Sequence, residues 1–100
     1  MSTLHLLSHS PFNDNRFSSC LPLLGPGDAL LLSGDAVHAL QSDSNPLMKL
    51  RSLPGEVAVY ALQEDLLARG LHTLPESVEA IDYATFVELC IRYTRVNSWL

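Results

Sequence analysis

The chain has 100 residues, of which 47% are hydrophobic and only 17% charged, with a formal net charge of −5. That is enough chain for one core, so residues 1–100 are expected to form one domain whose surface keeps a sizeable apolar share. The acidic balance, without a basic stripe, excludes direct nucleic-acid binding. Cys20 and Cys90, with no CxxC and no framework spacing, point to a reducing compartment.

The N-terminal stretch MSTLHLLSHSPF has no basic region and no long apolar core, and no window reaches the ~18 apolar residues of a membrane span. A cytoplasmic protein without membrane contact is expected. Leu4 to Leu7 reads as a first strand, stopped by Ser8 to Pro11. His5 inside it reads as a hydrogen-bonded core residue, since buried polar groups are normally paired. The spacing of His5 and His9 aligns two ligands only on a helix, so no metal site is expected.

A helix follows over Phe17, Cys20, Leu21 and Leu24, interrupted by Pro22, which is tolerated only in a first turn. Either the regular helix begins near Ser18 or Ser19, placing Cys20 at an N-terminus that stabilises a thiolate, or it begins at Asn13 to Asn15 and is kinked. Arg16, one turn back, is the only cation near Cys20 in sequence. Ala29 to Leu32 is a second, unbroken apolar strand. Ser33 or Asp35 can cap a short helix through Ala36, Val37, Ala39 and Leu40. The Ser33-Gly34-Asp35 corner could in principle hold a small anion, although one glycine is a poor warrant. A further helical turn is expected within Leu47 to Leu53.

Glu56 to Leu62 then forms a strand buried on both faces. It leads into a short helix with Glu64 and Asp65 in its first turn and Arg69 in its last, ended by Gly70. Val78 to Ile81 makes a fourth strand. Asp82 caps a last helix, Tyr83 to Tyr93, whose Phe86, Leu89, Cys90 and Tyr93 form a core-facing stripe. Cys90 on that stripe reads as a buried small hydrophobe. Trp99, the only tryptophan, is a candidate interface anchor or a side chain folded back onto its own core. Strands alternating with helices predict a small three-layer α/β/α domain with a mainly parallel sheet of about four strands. No triad, paired-carboxylate, metal or cofactor constellation is found.

Several short stretches occur in an order that resembles one family. They are Leu4-His5, Ser10-Pro11-Phe12, Tyr60-Ala61-Leu62, Asp65-Leu66, Ala68-Arg69-Gly70, Asp82-Tyr83, Phe86-Val87 and the late Trp99. Together they resemble the TusB/DsrH family across nearly the whole length. The resemblance implies the DsrEFH-like α/β fold and a small, non-catalytic or auxiliary subunit of a heteromeric sulfur-relay complex. It further implies two related subunits, TusC/TusD-like or DsrF/DsrE-like, in a dimer of heterotrimers served by small sulfur-carrier proteins. In the Tus branch persulfide sulfur passes toward 2-thiolation of the tRNA wobble uridine; in the Dsr branch the complex serves sulfur oxidation. The main relay cysteine would lie on a partner subunit. Cys20, within Ser19-Cys20-Leu21, matches a cysteine of DsrH-type members and is the candidate auxiliary persulfide site. The reading from another class is a non-enzymatic, small-anion-binding module on a flavodoxin-like scaffold.

Overall fold

Each apolar run becomes a strand in the computed structural model, which describes residues 2–99; Met1 and Leu100, the ends of the expected 1–100 domain, lie outside the described residues. The strands are β1 (Thr3–Leu7), β2 (Ala29–Leu32), β3 (Ala58–Leu62), β4 (Val78–Ile81) and β5 (Arg95–Trp99). They form one sheet in the order β4-β3-β2-β1-β5, and all four pairings are parallel. The sequence predicts the first four strands and misses β5, so the sheet has five strands rather than about four. The reason is chemical: RVNSW has no apolar run because it lies at an edge, with only Trp99 partly buried.

The helices are α1 (Arg16–Cys20), α2 (Asn45–Arg51), α3 (Gln63–Ala68) and α4 (Tyr83–Arg92), with 3-10 segments at Leu21–Leu23 and Gly34–Leu40. Ser44 caps α2 by accepting a hydrogen bond from the Leu47 N–H at 3.2 Å, and Asp82 caps α4 by accepting from the Thr85 N–H at 2.8 Å. Such caps satisfy donors that the first turn leaves free. The 34–40 segment coils in 3-10 form, and Ser33, at its cap position, makes no side-chain capping bond.

Alternation along the strands splits the core in two. Leu7, Leu30, Leu32, Val59, Ala61 and Val78 face α1, α2, α3 and the 34–40 segment. Leu4, Ala29, Leu31, Leu62 and Ile81 face α4, where Leu89 is buried and Phe86, Cys90 and Tyr93 pack beside it. The predicted stripe on the last helix is therefore the one used. Central β2 is buried at every residue, as a strand covered on both faces requires. No helix among the described residues is long and apolar enough to cross a membrane.

Candidate functional site

Cys20 is the last residue of α1, with no exposed surface, in the cluster that holds Phe17, Leu7 and Leu30. Phe17 and Cys20, three residues apart, share the inward face of this single-turn helix. Burial pushes the thiol up to about 12. The expected start near Ser18 or Ser19 misses and the earlier one is close: Asn15 is the N-cap and the helix begins at Arg16, while Pro22 falls in the following 3-10 turn, where its missing N–H costs little. The alternative that put Cys20 at a thiolate-stabilising helix N-terminus is thus corrected: Cys20 is buried and neutral. Arg16 gives no help to a thiolate, because its guanidinium pairs with Asp14. Cys90 is half-buried on α4 and is the more accessible of the two thiols.

The carboxyl ends of β1, β2 and β3, where parallel sheets usually bind ligands, hold an internal polar network. The Gly34 N–H donates to Asp65 Oδ2 at 2.8 Å. Arg69 donates to Asp35 Oδ1 at 2.9 Å and to the Asp65 backbone oxygen at 3.1 Å. The Arg69 guanidinium holds the Asp35 carboxyl below the usual carboxylate range. A carboxylate of this chain therefore occupies the donor that a small anion would need at Gly34, and two acids flank the corner. The sequence placed Asp65 and Arg69 in the first and last turns of one helix; their reach to Gly34 and Asp35 was not visible there.

At the other edge, His5 is buried and Trp99 packs partly onto the core. The indole Nε1–H of Trp99 donates to His5 Nδ1 at 3.1 Å, so the imidazole proton sits on Nε2. Desolvation lowers the pKa of His5, partly opposed by Asp28. The hydrogen-bonded core reading of His5 holds; its partner, 94 residues away, is what sequence reasoning missed. Among the described residues, no group of three or more His, Cys, Asp or Glu side chains could hold a metal ion.

These features define an α/β protein with a five-stranded, wholly parallel sheet and no assembled nucleophilic centre among its described residues. Residues 9–96 match the family model described as DsrH-like protein. The chain is 41% identical over 97 residues to Protein TusB of Escherichia fergusonii, covering 96% of this chain and 99% of that one. It is 40% identical over the same span and coverage to Protein TusB of Shigella boydii serotype 18. Its fold matches the ychN protein from E. coli with a TM-score of 0.82 at 19% identity, covering 99% of this chain and 100% of that chain. It also matches MTH1491 from Methanobacterium thermoautotrophicum, a protein of unknown function, with a TM-score of 0.65 at 16% identity and 96% coverage of both. The chain belongs to the DsrH-like family and is similar to proteins named TusB over nearly their full length.

Proposed function

We propose that this chain is a subunit of a heteromeric sulfur-relay complex that passes persulfide sulfur toward 2-thiolation of the tRNA wobble uridine. The observation that carries the proposal is the 41% identity, over nearly the whole of both chains, to a protein named TusB. Its partners are two related subunits, TusC/TusD-like, in a dimer of heterotrimers in the cytoplasm, and small sulfur carriers are reached through that complex.

The part played by this chain is structural or auxiliary. Persulfide exchange needs an accessible thiolate, and Cys20 is enclosed with its pKa pushed up to about 12. A persulfide on Cys20 would require α1 to lift from the sheet, so the transferring thiol belongs on a partner.

The test is to remove this chain from its host and measure 2-thiouridine in tRNA by mass spectrometry. Thiolation should fall to background and return with the wild-type chain or with Cys20→Ser. Undiminished thiolation without the chain would overturn the proposal. Rescue by wild type but not by a Cys20→Ser chain that still assembles would instead make Cys20 an obligatory carrier. The DsrH-like match supports one further reading, a sulfur-oxidation subunit; loss of sulfur oxidation with intact tRNA thiolation would select it.

A further inference from the structure

On the sheet face that carries α1, α2 and α3, a cleft opens between two connections. One is residues 41–44, which join the 34–40 segment to α2; the other is residues 71–75, which lead from α3 to β4. One lobe of the cleft holds about 160 Å³ and the next about 180 Å³; Leu40, Ser42 and Thr73 line both, so the lobes are continuous. Each is far above the ~10–15 Å³ that admits one water and below the ~300–1,000 Å³ of a drug-sized site, so the occupant is small.

The floor is the core itself: Leu40 and Leu47 are buried, and Leu74 packs against the same cluster. At the rim stand two opposite charges, Arg51 from the last turn of α2 and Asp43 from the loop before that helix. They pair neither with each other nor with any other described residue. Arg16 and Arg69 differ, because their guanidinium groups are taken by Asp14 and by Asp35 and Asp65. The helix end does not require Arg51, since Lys49 lies in the same last turn and outside the cleft. Asp43 is held at a φ of +61°, and among the described residues no other non-glycine has a positive φ. Glycine would sit there without strain; the residue present brings a carboxylate instead.

These two charges define the ligand. A simple anion held by Arg51 would face Asp43, and a simple cation held by Asp43 would face Arg51. A neutral molecule would cover both charges and pair neither, which is costly. A small molecule with both signs and an apolar body complements the whole lining. We propose that this cleft binds the zwitterion of an apolar α-amino acid, with its carboxylate on Arg51, its ammonium on Asp43 and its side chain over Leu40 and Leu74. The proposal goes beyond the sulfur-relay reading and stands whether or not that reading holds.

The test follows the backbone amides of the nitrogen-15-labelled full chain by NMR while L-leucine is added to millimolar concentration. Shifts should saturate and stay within the cleft residues. Leucinamide lacks the carboxylate and N-acetyl-L-leucine lacks the ammonium; each should bind roughly tenfold or more weakly, the loss expected for one charged hydrogen-bond partner. Arg51→Gln should bring leucine down to the level of leucinamide and leave leucinamide unchanged. Asp43→Asn, which tolerates the left-handed backbone, should do the same for N-acetyl-L-leucine. A dispersed spectrum checks that each variant is folded; if one is not, the two derivatives on the wild-type chain decide. No saturable shift with leucine, shifts spread beyond the cleft, or a derivative that binds as tightly as leucine overturns the proposal, as does wild-type affinity for leucine in either folded variant.

Discussion

At the sulfur of Cys20, a helix only one turn long offers a weak field, and Cys20 lies at its carboxyl end, which disfavours an anion. Enclosure by apolar side chains acts in the same direction, and with a pKa of about 12 only roughly one thiol in 10⁵ is ionised at pH 7. Limiting iodoacetamide at neutral pH should therefore label half-buried Cys90 well before Cys20 in the folded protein, with peptide mapping as the readout. Faster labelling of Cys20 would mean that α1 opens readily. His5 gives a pH prediction of definite sign. Its pKa is lowered in the fold, so the unfolded chain takes up the proton first as pH falls. The contribution of His5 is complete above the unfolded value of about 6.5 and is lost as pH drops through the lower folded value. Protonation of Nδ1 would also set two donors against each other at Trp99. The unfolding midpoint should fall between pH 7 and pH 5, and His5→Asn, which keeps an acceptor near Nδ1 but does not titrate, should flatten that slope.

Among the elements, the corner after β2 depends on a glycine. Gly34 has a φ of +51°, and a Cβ there would stand 3.2 Å from the backbone oxygen of Ser8. Gly34→Ala meets both the left-handed penalty of about 1–2 kcal/mol and that close approach, and it disturbs the N–H that donates to Asp65. Urea unfolding should show a destabilisation of about that size or more, whereas Gly55→Ala, with open space around its Cβ position, should be nearly silent. The elements also show what could be read in advance. The first four strands and the stripe on α4 were legible because burial demands apolar residues at the right period, and Asp82 because capping chemistry is local. β5 was not legible, since an edge strand needs no apolar run and β1, its partner, lies at the opposite end of the sequence. Cys20 was misread because Pro22 marks a first turn without saying which kind; the 3-10 turn took it, leaving Cys20 to α1. The partners of Arg69 and His5 lie 34 and 94 residues away, beyond any periodicity.

Across the whole molecule, the sheet has unlike borders. β4 presents the exposed Glu79 at its rim, and a charge there discourages a further strand. β5 is regular over five residues and covers β1, whose Leu4-His5-Leu6-Leu7 would otherwise be the border. A chain ending at Tyr93 should therefore bind a hydrophobic dye and aggregate at concentrations where the full chain stays dispersed; equal dispersal would show that β5 is dispensable. The pairing of β1 with β5 also orders events in time. Synthesis runs from the N-terminus, so β1 emerges well before β5. β2 can join β1 early, but the other side of β1 stays open until about ninety further residues have been translated. Such a long-range closure is slow, and through that interval an adhesive strand is exposed on the nascent chain.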